Sequence, residues 1–278
     1  MKALYDSTSL KISRLITNAY SSSFSIGISL LGQNVRNQVY AIYAFVRLAD
    51  EIVDSFHGYD QVTLFNRFVE DYQLSLENKI STNPVLNVFQ NVVNTYQLQE
   101  LTQVFLRSME MDLSKKEYQN FCEYKDYIVG SAEVVGLMCL KVFLDGDEVK
   151  YNELKPYAEA LGSAFQKVNF LRDINADYET LGRMYFPNTD FENFCDIRKA
   201  EIVSEINEEF KVALEGIKKL PENSRLGVYV AYCYYEKLLK KIDRTDAKVL
   251  LKNRIRIPGY TKGFVFLVAW VKYRFNVI

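Results

Sequence analysis

The sequence predicts an all-α protein. Almost every segment between turn signals carries apolar residues at helical spacing, and no stretch alternates apolar and polar residues as a half-buried β-strand does. Of the 278 residues, 49% are hydrophobic, which is enough for a substantial core, and no shift in composition marks a linker. The sequence therefore predicts a single helical domain over residues 1–278.

Ten helices are predicted between clusters of turn-forming residues. The breaks fall at HGYD, STNP, LDGD, the stretch from residue 179 to residue 190, PENS and RIPGY. The predicted helices, in chain order, cover residues 8–20, 34–56, 61–78, 84–96, 98–113, 119–144, 151–178, 197–219, 224–243 and 263–275.

The two ends of the chain bear on its location. The N-terminal residues MKALYDSTSL lack the apolar run of a signal peptide, so a cytoplasmic location is the default expectation. The longest apolar run, Phe264 to Val271, is too short for a bilayer span, which needs about 20 residues. We interpret it as the last core helix. Because Lys262, Lys272 and Arg274 flank it, peripheral docking at the inner face of a membrane is the alternative.

The composition excludes several classes of function. The single histidine, His57, lies in a predicted turn, so no histidine cluster or His-rich zinc site can form. No glycine-rich phosphate loop or dinucleotide fingerprint is present. The net charge is −1 and the basic residues are scattered, which argues against nucleic-acid binding. The four cysteines are far apart and form no C-x-x-C motif; they are Cys122, Cys139, Cys195 and Cys233.

Two pairs of aspartates, each with i, i+4 spacing, are the most informative feature. They are Asp50 with Asp54 in RLADEIVD, and Asp173 with Asp177 in NFLRDINAD. On a helix this spacing points both carboxylates in one direction. If the two helices face each other, four negative charges converge, which requires a bound cation. Mg²⁺ held together with a phosphorylated ligand fits such a set of donors.

Chance alone predicts roughly four acidic i, i+4 pairs in a chain of this composition. The residues around these two pairs are what distinguish them from chance pairs. One polar stripe consists of Tyr43, Arg47, Asp50 and Asp54, beside an apolar stripe of Val35, Val39, Ile42, Val46, Ala49 and Val53. The second polar stripe consists of Gln166, Asn169, Asp173 and Asp177, with Arg172 adjacent. Arg183 follows in the loop LGRMYFP, where it either folds back over the carboxylates or lies in solvent.

These motifs together resemble the squalene and phytoene synthase family, which has the class I isoprenoid (terpenoid) synthase fold. The combination of Y-x-x-x-R-x-x-D-x-x-x-D with Q-x-x-N-x-x-R-D-x-x-x-D is highly specific, and the resemblance covers nearly the whole chain. The other matching segments are SSSF at 21–24, residues 127–136, GRMYFP at 182–187, YEKLLKKI and NRIRIP. Glu133 is a departure, because the family tends to have glycine there.

The resemblance implies a helical bundle around a central apolar cavity and an enzyme, a prenyltransferase, that binds isoprenoid diphosphates. Mg²⁺, or alternatively Mn²⁺, would be held by Asp50, Asp54, Asn169, Asp173 and Asp177. Phosphate oxygens would contact Gln166, Arg47, Arg172, Arg183 and either Arg254 or Arg256, while Ser21 and Ser23 would support the second diphosphate and Phe24 would begin the cavity. The tyrosines Tyr43, Tyr127 and Tyr235 would stabilise carbocations or position a proton acceptor, which is the released diphosphate or a tyrosine.

The reaction that the resemblance implies is a head-to-head (1′–1) condensation through a cyclopropyl diphosphate. The leading hypothesis is a 15-cis-phytoene synthase that uses two geranylgeranyl diphosphates and no NADPH, since a dinucleotide fingerprint is missing. A dehydrosqualene or squalene synthase that uses two farnesyl diphosphates is the nearest alternative. A non-catalytic scaffold protein is a further alternative, against which the retention of all four aspartates argues.

Overall fold

The computed structural model describes residues 1–115, 118, 120–187, 189, 191, 193–275 and 277–278. Every regular element in these ranges is helical, which confirms the all-α prediction. The helices are α1 (Lys2–Tyr20), α2 (Ser22–Ser29), α3 (Gln33–Asp54), α4 (Gln61–Asn78), α5 (Pro84–Tyr96), α6 (Gln99–Asp112), α7 (Phe121–Ile128), α8 (Val134–Leu144), α9 (Glu148–Ala176), α10 (Asp196–Lys219), α11 (Glu222–Asp243), α12 (Ala247–Leu250) and α13 (Gly259–Arg274).

Side-chain caps explain several helix starts that the turn signals predict. The Asp60 carboxylate accepts a hydrogen bond from the backbone N–H of Thr63 at 3.0 Å and begins α4. Asn83 caps α5, which has a proline in its first turn, and Asp147 caps α9. Each cap satisfies an otherwise unpaired N–H group, so the breaks at HGYD, STNP and LDGD are true helix boundaries.

The observed helices differ from the predicted ones at functionally important places. The sequence pattern does not predict helix α2, because SSFSIGIS gives only two turns of periodicity. Two π-helical turns, Val129–Glu133 and Asp177–Leu181, continue α7 into α8 and extend α9. Such turns are frequent at functional sites. Gln119, the first residue of one predicted helix, and Asn188 and Asp190 of one predicted break lie outside the described residues.

The core consists of two hydrophobic clusters joined by α9. The first cluster lies among α3 to α6 and α8, where the Phe45 ring stacks on the Phe89 ring at a centroid distance of 3.9 Å. The second cluster lies among α7 and α9 to α13. Helix α9 has 29 residues, so at 1.5 Å per residue it is about 43 Å long and contributes to both clusters.

The run Phe121–Leu144 is long and apolar enough, by length and composition, to cross a membrane. It is the one helix within the described ranges that meets this test, and 56% of its apolar window is buried inside the protein. Leu137, Met138 and Val142 of this run belong to the first core cluster. This burial is typical of a core helix.

The interpretation of residues 263–275 as the last core helix is wrong. In α13 only Ala269 is fully buried, whereas the side chains of Phe264, Leu267 and Trp270 are exposed. The helix packs on α11 through the side that carries Ala269, Val265 and Phe266. Its apolar residues occur almost all round the helix, so the sequence pattern does not show which of them a neighbouring helix covers.

Helices α2 and α11 pack closely because glycines face each other at their contact. A Cβ atom on Gly227 would lie 2.5 Å from the carbonyl oxygen of Gly27 and 2.6 Å from Cδ2 of Leu31. These distances are shorter than van der Waals contact. Only glycine therefore allows the two helices to approach in this way and to hold the start of α2 in place.

Replacement of Gly227 by alanine should destabilise the protein by about 1 to 3 kcal/mol, because the added methyl group overpacks the contact between α2 and α11. Gly263 is the matched control, since a Cβ atom there meets no atom within 4 Å. Gly263→Ala should stabilise α13 by about 0.5 to 1 kcal/mol. Chemical denaturation measures both changes, and equal effects of the two substitutions would contradict the tight contact.

Candidate active site

The first aspartate pair lies at the C-terminal end of α3, next to an arginine held by the same helix. Arg47 Nη1 donates a hydrogen bond to Asp50 Oδ2 at 2.6 Å, and Arg47 also pairs with Glu51. The Arg47 guanidinium lies 4.4 Å from the ring centroid of Tyr20. Its Nε group is buried without a hydrogen-bond partner among the described residues. Arg47 thus keeps an unused donor close to the carboxylates.

The second aspartate pair lies where α9 passes into its π-helical turn. Arg172 Nε and Nη2 donate to Asp173 Oδ1 and Oδ2 at 2.9 and 2.5 Å. Arg254 Nε lies 2.7 Å from Asp173 Oδ1. Asn175 donates to a backbone carbonyl in the segment that follows α12 and so fixes the approach of Arg254. Two guanidinium groups are therefore concentrated on one carboxylate.

Arg183 connects the second pair to the first. It is only 4% exposed, so it is not a solvated loop residue, and the loop folds back over the carboxylates. Arg183 Nη1 donates to Asp54 Oδ1 at 2.6 Å, and Nη2 donates to the backbone carbonyl of Asp112 at 2.6 Å. These contacts bring the ends of α3, α6 and α9 together.

The charges of the two pairs influence one another. Burial, together with the carboxylates of Asp54 and Asp112, raises the pKa of Asp50 to about 7, although Arg47 opposes this. Burial, together with Asp173 and Asp54, raises the pKa of Asp177 to about 8. Asp54 raises the pKa of both Asp50 and Asp177, so the two pairs lie in one electrostatic environment, the acidic centre.

Asp112, at the end of α6, is a site residue that the sequence analysis missed. The Tyr127 hydroxyl donates to Asp112 Oδ2 at 2.8 Å, and Arg183 Nη1 lies 3.9 Å from Asp112 Oδ1. Burial raises the pKa of Asp112 to about 7. Asp112 has no acidic residue four positions before or after it, so i, i+4 spacing does not identify it. Its place on the buried stripe that contains Phe105 and Met109 is the signal that could have found it.

An apolar cavity of about 290 Å³ begins beside this acidic centre. Gln166 and Asn169 line its polar end, and the Tyr235 hydroxyl donates to Asn169 Oδ1 at 3.2 Å. The Phe24 and Tyr43 rings, 5.9 Å apart, line the same end. Of the predicted residues on α3 and α9, Tyr43, Gln166 and Asn169 thus line the cavity, and the aspartates follow them along the same helices.

The other predicted residues lie at different distances from the polar end of the cavity. Ser21 caps α2 by accepting a hydrogen bond from the Phe24 N–H at 3.2 Å, and Ser23 lies half-buried in the first turn of α2. Tyr127 lies on the Asp112 side of the site. The structure brings Arg254 to the acidic centre, whereas Arg256 is exposed and makes no ion pair with any residue that the structure describes.

Glu133, the departure from the family pattern, does not line the cavity itself. Ser131 and Ala132 line the cavity. Burial, with Glu159 and Glu209 nearby, raises the pKa of Glu133 to about 7. The acid that replaces the family's glycine therefore belongs to the carboxylate environment outside the cavity.

The donor set fits a hard divalent cation that arrives with phosphate. Within the described ranges, no three or more His, Cys, Asp or Glu side chains lie close enough together to hold a metal ion by themselves. Mg²⁺ usually takes only one or two carboxylates plus phosphate oxygens and water. The two aspartate pairs and the Asn169 amide oxygen would provide oxygen ligands of this kind.

Known proteins resemble this chain over most of its length. The family model for squalene/phytoene synthase matches residues 17–261. The chain is 28% identical to the 15-cis-phytoene synthase of Synechocystis sp., over 94% of this chain and 84% of the relative. It is 29% identical to the phytoene synthase of Arthrospira platensis, over 96% and 94%. It is 22% identical to the 4,4'-diapophytoene synthase of Staphylococcus haemolyticus, over 93% and 95%.

A solved structure shows the same fold. The crystal structure of a dehydrosqualene synthase in complex with a ligand superposes with a TM-score of 0.82 at 20% sequence identity, and the match covers 97% of this chain and 98% of the other. This similarity confirms the predicted class I isoprenoid synthase fold.

Without added divalent metal, the protein should lose stability as the pH rises from about 5 to 8. Because the pKa values of Asp50, Asp112 and Asp177 are raised, the folded state binds more protons than the unfolded chain in this range, and ionisation of these groups favours unfolding. Mg²⁺ should restore stability more at pH 8 than at pH 5. Melting temperatures measured with EDTA or MgCl₂ test this expectation.

The substitution Asp177→Asn should make the pH dependence of the melting temperature in EDTA shallower, because one buried ionisation is removed. Asp71→Asn on the exposed face of α4 is the matched control and should leave the slope unchanged. If the melting temperature of the Asp177→Asn protein in EDTA depends on pH as steeply as that of the parent protein, this carboxyl group does not contribute to the loss of stability.

Proposed function

The chain belongs to the squalene/phytoene synthase family, whose members are prenyltransferases, and we propose that it condenses two geranylgeranyl diphosphates head to head (1′–1) to 15-cis-phytoene through a cyclopropyl diphosphate. One observation carries this proposal: Tyr43 and Asn169 line a long apolar cavity, and on the same two helices they are followed within about three turns by the aspartate pairs, which four arginines contact. The charged end suits a diphosphate, and the cavity suits an isoprenoid chain.

The arginines supply the contacts for the diphosphate head. Arg47, Arg172 and Arg254 already lie against carboxylates, yet each guanidinium has five N–H donors, so each can bind phosphate without leaving its aspartate. Mg²⁺ held by the aspartates and Asn169 would neutralise charge that develops on the departing diphosphate. Arg183, held by Asp54 and by the Asp112 carbonyl, covers this end of the site.

Aromatic rings surround the place where an allylic cation would form. The Tyr235 ring stacks on Phe165 at 4.0 Å and lies 5.7 Å from Phe24. Their π faces stabilise a nearby positive charge. Burial raises the pKa of Tyr43 to about 12 and also raises that of Tyr235, so both are neutral phenols at physiological pH. This supports the released diphosphate, rather than a tyrosinate, as the acceptor of the final proton.

The extent of the cavity supports substrates with four isoprene units. Its lining on α9 runs from Asn169 to Leu154, about 22 Å at 1.5 Å per residue. Small side chains keep it open; they are Gly27, Ala132, Gly136, Ala158, Gly162, Ala213, Gly216, Gly227 and Ala231. The two phytoene synthases are 28% and 29% identical to this chain, against 22% for the diapophytoene synthase. Farnesyl diphosphate, which is shorter, is the second candidate substrate.

With Mg²⁺, the purified protein should convert geranylgeranyl diphosphate to a C40 hydrocarbon with a central double bond, with or without NADPH. Chromatography and mass spectrometry of products from separate and mixed C15 and C20 substrates measure this outcome. The Asp50→Asn protein is the negative control and should be slower by about a hundredfold or more, because a preorganised charge is lost. A dominant C30 product, or NADPH-dependent saturation of the central bond, would contradict the proposal.

The substitution Ala158→Phe should shorten the cavity and shift substrate preference from C20 to C15. Ala158 lies 11 residues before Asn169 on α9, about 16 Å from the polar end, and lines the cavity. Turnover of C20 substrate should fall about tenfold or more relative to C15. Retained C15 turnover demonstrates folding, and Ala200→Phe, on the exposed side of α10, is the matched control. Unchanged C20 preference would show that the chains do not extend past Ala158.

A further inference from the structure

Helix α13 exposes an apolar stripe that no other part of the described chain covers. Phe264 is 66% exposed and Leu267 54%, and Trp270, at the edge of the stripe, is 44% exposed. At 100° per residue, the exposed residues Tyr260, Phe264, Leu267, Val271 and Phe275 fall on one face. The buried Ala269 lies opposite, against α11. The helix thus has one packed side and one free apolar side.

The charge around this stripe identifies its partner. From residue 247 to residue 278 the chain has no Asp or Glu and seven Lys or Arg residues, although the whole protein has a net charge of −1. Lys272 and Arg274 lie at the C-terminal end of α13 and form no ion pair with any described residue. Apolar and aromatic side chains beside unpaired cations match an anionic lipid surface. A two-fold contact with a second copy would instead bring these positive charges together.

We propose that α13 docks the protein on an anionic lipid bilayer, with the exposed stripe in the interfacial region and Lys272 and Arg274 at the headgroups. The stripe is too short to span the bilayer, so the helix lies in the plane of the interface. Tyr260 and Trp270 have the amphipathic rings that favour this depth.

The packed side of α13 also contacts α2, a helix that lines the cavity. Lys262, on the packed side of α13, donates through Nζ to Ser22 Oγ at 2.5 Å, and its backbone carbonyl accepts a hydrogen bond from the Tyr234 hydroxyl at 3.0 Å. Ser22 begins α2, and Phe24 on α2 lines the cavity. The relation to the cavity rests on the proposed function, under which a water-insoluble hydrocarbon leaves it. A bilayer at α13 would receive that hydrocarbon beside α2.

Trp270 is the single tryptophan of the chain, so its fluorescence reports on this helix alone. On addition of vesicles of phosphatidylcholine with about a third phosphatidylglycerol, the emission should shift to shorter wavelength and the protein should sediment with the vesicles. Phosphatidylcholine alone should bind it several-fold more weakly, and added salt should reduce binding. Absence of both the shift and co-sedimentation with anionic vesicles would overturn the proposal.

Paired variants locate the contact. The double substitution Phe264→Ser with Leu267→Ser should weaken vesicle binding at least about tenfold, because two inserted apolar side chains are lost. The matched control is Val149→Ser with Ile197→Ser, at side chains that are 81% and 75% exposed on other helices, and should bind normally. Lys272→Gln should weaken binding to anionic vesicles about fivefold. Equal binding by the α13 variant and its control would overturn the assignment.

Two further measurements distinguish lipid docking from self-association and from a role in the condensation itself. Light scattering after size exclusion tests for a dimer, and a dimer that the Phe264→Ser and Leu267→Ser changes dissolve would overturn the proposal in favour of a second copy. In detergent-dispersed substrate, the same variant should keep parental turnover, because these residues lie outside the site. Vesicle binding needs no substrate, so failure of the condensation assay would not affect its interpretation.

Discussion

Partly buried carboxylates beside an apolar cavity require nearby positive charge, and this requirement organises the ends of several helices. Burial raises the pKa of Asp50, Asp112 and Asp177 because the charged forms lose hydration. Arginines compensate only part of this cost: Arg47 from the same helix and Arg183 from the loop after α9. Because this compensation is incomplete, the acidic centre lowers the stability of the protein alone.

Through their contacts, Arg183 and Asp112 also fix the relative positions of several helices. Arg183 contacts the carboxylate of Asp54 on α3 and the backbone carbonyl of Asp112 on α6, while Tyr127 on α7 binds the Asp112 carboxylate. The π-helical turn at Asp177 redirects the chain so that Arg183 can reach these partners. Three helices and one loop therefore fix the acidic centre, and a change in any one of these contacts alters the others.

The sequence predicts most helices and both aspartate pairs because their signals are local: periodic apolar residues, capping residues and i, i+4 spacing. Asp112 has no such local signal, since its partners Tyr127 and Arg183 are distant in sequence. Helix α2 is too short for its periodicity to be recognised. For α13 the composition predicts a helix, but which apolar face is covered depends on tertiary packing, in this case on the contact with α11. The roles of the site residues stay predictions, because they concern bound ligands.

The contact between Lys262 and Ser22 places the positively charged side of the site next to the helix that carries the exposed apolar stripe. Burial lowers the pKa of Lys262 most, and the nearby Arg172 guanidinium lowers it further. Lys262 therefore belongs to the positive charge on the site side of α13, whereas Phe264, one half-turn later, faces away from the protein. A single short helix thus separates a charged head site from an apolar outer surface. A molecule with a diphosphate head and an isoprenoid chain has the same division, so helix α13 is suited to lie between a lipid surface and the cavity.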